Sequence, residues 1–215
     1  EQWRQRIVSG QVQMDAEVVT DPDRVLAAGQ ILAYHRPPWR ESDVPTDIGI
    51  VFEDEHLLVV DKPAGLPVLP GGNFLEHTLL WMLRARHSQT LAPLHRLGRG
   101  TSGLIAFGKS DAARSGLSAD FARGHVEKTY RALVSGQVHA DEFTVTNPIG
   151  CVDYPPLGSV FAVADASTGA GKDSRSEVRV LERAEDESLV EVRIPTGRPH
   201  QIRIHLAAAG HPLVG

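Results

Sequence analysis

Leu94-His95-Arg96-Leu97-Gly98-Arg99-Gly100-Thr101-Ser102-Gly103 runs directly into Leu104-Ile105-Ala106-Phe107, and the reading of this join decides the fold. Gly98, Gly100 and Gly103 have the spacing G-x-G-x-x-G. In a dinucleotide-binding unit that spacing joins a buried strand to a helix, with an acid about 20 residues later for the ribose. Here Pro93, His95 and Arg96 come before the glycines, so no buried parallel strand leads in. Leu104–Phe107 is a short apolar run that reads as a strand and not as a helix. The segment is a polar, glycine-rich loop feeding a strand, and the dinucleotide reading fails on both flanks.

Outward from this loop the chain reads as α+β. Ile50–Phe52 and Leu57–Asp61 are strands around the acidic turn Glu53-Asp54-Glu55, and Lys62-Pro63-Ala64-Gly65-Leu66-Pro67 is irregular because its prolines break a ladder. Helical spacing of Leu79, Leu80 and Leu83 predicts a helix over His77–Arg86, and a second helix spans Ala112–Arg123 with Asp111 at its start. Thr129–Val134, Glu142–Val145, Val178–Glu182, Leu189–Ile194 and Ile202–Leu206 are predicted strands, and Asp165–Asp173 is a flexible loop. On that reading His200 and His205 face opposite sides of one strand and do not form a metal pair. Residues 1–45 form a small separate unit: a helix over Gln2–Ile7, a strand after Gly10, a second strand Ile31–Tyr34, and a linker. The expected architecture is this module followed by an α+β domain over 46–215, with a mixed, largely antiparallel sheet, flanking helices and a central basic cleft.

Composition narrows the class. A 41% apolar and 23% charged chain is ordinary for a globular protein, and no apolar run approaches the ~18 residues a membrane span needs. The single cysteine, Cys151, excludes an internal disulfide framework and suits a reducing, cytoplasmic setting. The net charge of −5 argues against a polyanion ligand, yet its distribution does not. His77–Ser110 holds no acid but carries Arg84, Arg86, Arg96, Arg99 and Lys109, and residues 192–215 again hold no acid but carry Arg193, Arg198 and Arg203. Brought together by the fold, these segments make a positive cleft.

Four motifs in order give the chain a resemblance. They are Asp61-Lys62-Pro63-Ala64-Gly65-Leu66-Pro67-Val68, then His95-Arg96-Leu97 with Thr101-Ser102-Gly103, then Lys128-Thr129-Tyr130-Arg131-Ala132-Leu133-Val134, and last Thr196-Gly197-Arg198-Pro199-His200-Gln201-Ile202-Arg203-Ile204-His205. Together they resemble the RluA-type family of RNA pseudouridine synthases. Residues 1–36 resemble the small RNA-binding module that many members carry at the N-terminus. In the family the chain usually continues past a segment like His211-Pro212-Leu213-Val214-Gly215, so a longer catalytic domain is expected.

The resemblance implies uridine isomerisation in a structured RNA, rRNA or tRNA, by a monomer using no cofactor and no metal. The target nucleotide leaves the base stack and is received by a stacking partner in a positive groove. Tyr130 maps to the tyrosine that stacks on the flipped base and Arg203 to the arginine that pairs with the catalytic carboxylate. Arg96 maps to the loop residue that fills the vacated space. His95, Arg99, Thr101, Lys128, Arg198, His200 and Gln201 are the accompanying RNA-binding positions. Without the motifs, a strand tyrosine reads as core packing and a strand arginine as surface. The position of the family's catalytic aspartate is Gly98, which has no side chain to attack, abstract a proton or pair with Arg203. A catalytically impaired RNA-binding protein is therefore the alternative function. Asp61 and Asp111 are the substitute carboxylates the sequence offers, and a partly buried Arg203 is expected to turn to another acid, to water or to a bound anion.

The acid-free segments predict RNA affinity that falls steeply with salt, with a slope of about −0.7 per phosphate contact to a single strand. Replacing Arg96 or Arg203 should weaken binding more than replacing Arg4. Salt titration of binding to cellular RNA checks this, and an affinity indifferent to salt contradicts it.

Overall fold

The computed structural model describes residues 2–155, 157–165 and 171–215. Contacts divide the chain into two units, residues 1–43 and 44–215. In the first, helix α1 (Gln2–Val8) precedes a three-stranded antiparallel sheet of order β2-β1-β3, with β1 Val12–Met14, β2 Glu17–Val19 and β3 Leu32–Tyr34. Val12 and Met14 are its buried residues. Trp3 meets Tyr34 edge-on at 5.2 Å between centroids, and the Arg6 guanidinium lies 4.8 Å and 5.1 Å from the two rings.

The second unit is built on two four-stranded antiparallel sheets. The first has the order β4-β5-β7-β6, with β4 Gly49–Glu53, β5 Leu57–Lys62, β6 Ala92–Pro93 and β7 Gly103–Gly108. Alternation along β5 and β7 sends Leu58, Val60, Ile105 and Phe107 to one face, where they pack with Leu66 and with Leu79, Leu80 and Leu83 of helix α2 (Leu79–Arg86). Thr78 starts α2, its hydroxyl accepting from the Trp81 amide at 3.4 Å. Helix α3 (Asp111–Arg123) begins at Ser110, whose hydroxyl accepts from Ala113, and ends at Gly124 in the left-handed region.

The second sheet has the order β8-β14-β13-β9, with β8 Thr129–Ser135, β9 Glu142–Val145, β13 Ser176–Arg183 and β14 Glu187–Arg193. Val134, Val178, Val190 and Val192 on its inner face pack against Leu206 and Ile202 of helix α4 (Gln201–Ala208). A third sheet, β11-β10-β12, joins β10 Ile149–Tyr154, β11 Gly158–Val163 and β12 Gly171–Lys172. No helix of the described residues is long and apolar enough to cross a membrane.

The α+β class and the antiparallel pairing agree with the sequence, but two local readings change. Ile202–Leu206 is helical: its alternation of isoleucines with Arg203 and His205 imitates a strand. The residues that turn inward are Gln201, His205 and Leu206, with Ile202 half-buried, which is a helical spacing. Docking of that face overrides the strand propensity of the isoleucines. The predicted loop 165–173 lies in part outside the described residues, and Gly171–Lys172 within it pairs with Gly150 and Ile149 of β10.

Gly103, where the glycine-rich loop joins β7, has φ +117°, and a Cβ there meets nothing within 4 Å. The cost of a side chain at this position is therefore backbone strain alone. Gly103→Ala should lose about 1–3 kcal/mol in urea unfolding, whereas Gly100→Ala, whose backbone is not left-handed and whose Cβ also meets nothing, should stay within about 0.5 kcal/mol of wild type. Equal effects at the two positions contradict this account of the turn.

Candidate active site

The glycine-rich loop leaves β6 and returns as β7, so its two ends lie on neighbouring, paired strands of one sheet. At the departure the Leu94 amide donates to the Ala106 carbonyl at 2.9 Å, and the Ala106 amide donates to His95 Nε2 at 3.2 Å. Within the loop the Thr101 amide donates to the Gly98 carbonyl at 3.1 Å. Its middle is held by Arg99. The Arg99 carbonyl accepts from the Gly65 amide at 2.8 Å and from Lys62 Nζ at 3.2 Å, while Arg99 Nε donates to the Gly65 carbonyl at 3.0 Å. The Arg99 guanidinium also lies 4.7 Å from the Phe74 ring centroid. Arg99, expected at the RNA, is thus engaged in joining the two motif loops.

Lys62 is fully buried. Its ammonium donates to the carbonyls of Pro63 at 2.8 Å, Leu66 at 2.9 Å and Arg99, and no carboxylate among the described residues is bonded to it. Loss of hydration pushes its pKa down to about 8. Sequence reasoning missed this residue, although Leu58, Val60 and Lys62 share one face of β5 by alternation. The opposite face carries Asp61, in register with Gly49 and Leu104.

Gly98 is exposed, its φ is not positive, and a Cβ built on it meets only Thr101 Oγ1, at 3.5 Å. Arg203 does not approach that space within 4 Å. It is exposed and, among the described residues, has no hydrogen-bond or ion-pair partner. Of the partners expected for it, no acid pairs with Arg203, and its exposure leaves the guanidinium to water. Asp111, the other acid in question, is bound by Arg114 at the start of α3.

Tyr130 lies on the inner face of β8, opposite Val192, half-buried against the sheet's core. Burial pushes its phenol pKa up, so the hydroxyl stays protonated. Two residues earlier Lys128 is half-buried and its ammonium pKa is pushed down by desolvation. Lys128 also faces the glycine-rich loop: burial first, and then the Lys128 charge, lower the pKa of His95. The His95 ring stacks on Phe121 of α3 at 4.7 Å and 25°.

Helix α4 is pinned by a buried polar network. Gln201 donates to the Arg175 carbonyl at 2.8 Å and to Ser176 Oγ at 3.2 Å, and its carbonyl oxygen accepts from the Arg198 amide at 3.0 Å and from the Thr196 hydroxyl at 2.9 Å. His205 is fully buried; Nδ1 meets Ser176 Oγ at 2.8 Å, and Nε2 meets the Asn147 carbonyl at 2.9 Å and Ser174 Oγ at 3.1 Å. Burial lowers its pKa. Gln201 therefore stands behind the surface and positions it. Arg198 Nε donates to the Asp173 carbonyl at 3.0 Å. His200, exposed at the helix start with φ 56°, holds a conformation uncommon outside glycine. Arg96 and Thr101 are exposed. No group of three or more metal-ligating side chains gathers among the described residues.

The sequence matches the family of RNA pseudouridylate synthases over residues 56–208. An uncharacterised RNA pseudouridine synthase of Synechocystis sp. is 44% identical over 214 residues, 99% of this chain and 72% of that protein. RNA pseudouridine synthase 5 of Arabidopsis thaliana is 43% identical over 243 residues, 99% of this chain and 65% of that protein. Among solved structures, human RNA pseudouridylate synthase domain containing 1 superposes with a TM-score of 0.67 at 28% identity, covering 78% of this chain and 67% of the human one.

The low pKa of Lys62 has a consequence for stability. Below about pH 8 the folded and unfolded chains both carry this proton; from there to the ordinary value of 10.5 the unfolded chain holds it more often. This group thus makes stability rise with pH across that window, by roughly 3 kcal/mol at most. Urea unfolding at pH 7, 8.5 and 10 should show the rise in wild type relative to Lys62→Met, and parallel curves for the two contradict it.

Proposed function

Since the chain belongs to the RNA pseudouridylate synthase family, we propose that it isomerises uridine to pseudouridine in a structured RNA, rRNA or tRNA. The reaction breaks the C1′–N1 bond, turns the uracil and joins C1′ to C5; C5 loses a proton and N1 gains one. No co-reactant is consumed.

One observation supports the placement of the RNA. The side chains of Arg96, Lys128 and Arg203 lack hydrogen-bond and ion-pair partners among the described residues. The side chains of Arg86, Arg123 and Arg131 are also unpaired among the described residues, whereas Arg175, Arg179, Arg183 and Arg193 are matched with Glu177, Glu191, Asp141 and Glu127. The unpaired cations are free to neutralise phosphate. In this reading Arg96 holds the place of the extruded nucleotide, and Tyr130 presents its ring to the flipped uracil. Its protonated hydroxyl stands ready to exchange a proton with the base. Lys128 and Arg203 receive backbone charge beside it.

The carboxylate that the sugar chemistry requires is absent from position 98, and the site is open to it: aspartate there faces no clash and no left-handed backbone. Gly98→Asp should therefore fold like wild type and raise pseudouridine formation by several orders of magnitude. The scale follows the ~10⁶-fold losses seen when a nucleophile is removed from a working hydrolase. Purified wild type and variant are incubated with RNA from cells lacking the gene, and pseudouridine is counted by mass spectrometry. A wild-type rate that Gly98→Asp leaves unchanged assigns the work to another carboxylate, with Asp61→Asn the next variant. RNA binding by both proteins with turnover by neither contradicts the proposal.

A further inference from the structure

We propose that His95 is a positioning residue for the glycine-rich loop, its neutral imidazole replacing the strand partner that β7 loses where β6 ends. The family reading puts His95 at the RNA; the geometry gives its ring another task. β6 pairs with β7 only through Ala92 and Pro93, opposite Gly108 and Phe107. The Leu94 amide makes the last backbone contact, to the Ala106 carbonyl at 2.9 Å. The chain then departs, and the Ala106 amide is left facing the side from which its partner has gone. Ala106 is half-buried, and a backbone amide stranded there is costly. His95 Nε2 accepts that amide at 3.2 Å, so the side chain completes the edge that the backbone abandons.

An imidazole accepts at Nε2 only when its proton sits on Nδ1 and the ring is neutral. Two neighbours favour this state. Phe121 of α3 covers one ring face, with centroids 4.7 Å apart. Lys128, in the approach to β8, brings a positive charge that opposes a second one on the ring. The ring thus joins β7, α3 and the segment leading into Tyr130. Arg96, the next residue, is exposed and takes its direction from this anchor.

The turnover arm of the test rests on the proposed isomerase activity; the other arms do not. His95→Phe keeps a ring for Phe121 and loses the acceptor, whereas His95→Gln loses the ring and places an amide oxygen close to where Nε2 stands. Amide hydrogen exchange over residues 96–103 and at Ala106 should speed up by about tenfold or more in His95→Phe and return most of the way to wild type in His95→Gln. RNA affinity per folded molecule, with thermal unfolding measured on the same preparations, should follow the same order. Where wild type turns over, kcat should fall more than KM rises in His95→Phe. Absence of turnover in both wild type and Gly98→Asp counts against the isomerase reading and leaves the exchange result intact. Unchanged exchange and affinity in His95→Phe, or equal damage in both variants, overturns the proposal. If His95→Phe fails to fold, nitrogen-15 NMR of wild type decides: an unprotonated Nε2 coupled to the Ala106 amide supports the role, and a proton on Nε2 overturns it.

Discussion

The ammonium of Lys62 closes the corner on which the candidate site is built. It lies under the sheet that carries it and spends its donors on three carbonyls, two in the loop that follows β5 and one at Arg99 in the glycine-rich loop. A buried cation without a carboxylate is held in place only if its protons are all taken up by well-placed oxygens. Here that condition fixes two loops against each other at once. The Gly65 amide and Arg99 Nε add a reciprocal pair across the same joint. Arg99 thereby becomes structural, and the positions on either side of it, Gly98 and Gly100, remain open to solvent.

The other half of the site is held by neutral polar groups. Gln201 and His205 reach from α4 to the β12–β13 connection and the start of β13, where Ser174, the Arg175 carbonyl and Ser176 receive them. Each partner is itself bonded, and among the described residues no buried side-chain nitrogen or oxygen lacks a partner. Such a network specifies one orientation of the helix more narrowly than apolar packing does, because a shifted register strands several buried groups together. The helix orientation in turn decides which way Arg203 points. Placing the charge on the exposed side of α4 and the hydrogen bonds on the buried side keeps Arg203 available without requiring a counter-ion.

Much of this was legible in the sequence. Alternation marked Leu57–Asp61 and Thr129–Val134, which lie within β5 and β8, and Leu189–Ile194, which lies in β14 up to Arg193. Helix α3 was visible from its own residues, since its start and its glycine stop are local chemistry. What escaped depends on contacts distant in sequence. Ile202–Leu206 alternates like a strand, and only the serines of β13 and its approach make the spacing of Gln201 and His205 helical. β10 was hidden because Gly150 and Cys151 interrupt its pattern, and its order comes from pairing with β11. Lys62 was quoted within a motif yet given no role, because a lysine among leucines and valines has meaning only once the carbonyls around it are known. The unpaired Arg203 has the same origin: sequence names the absent aspartate but does not say whether its partner is in water.

The central claim is that this fold, with Tyr130 on β8 and the exposed Arg96 and Arg203, works on uridine in RNA. Mapping pseudouridine in total cellular RNA from strains with and without the gene tests turnover and target together. The account predicts that one or a few pseudouridines, in rRNA or tRNA, disappear with the gene and return when it is restored. Identical maps in the two strains, across all RNA classes, would contradict it.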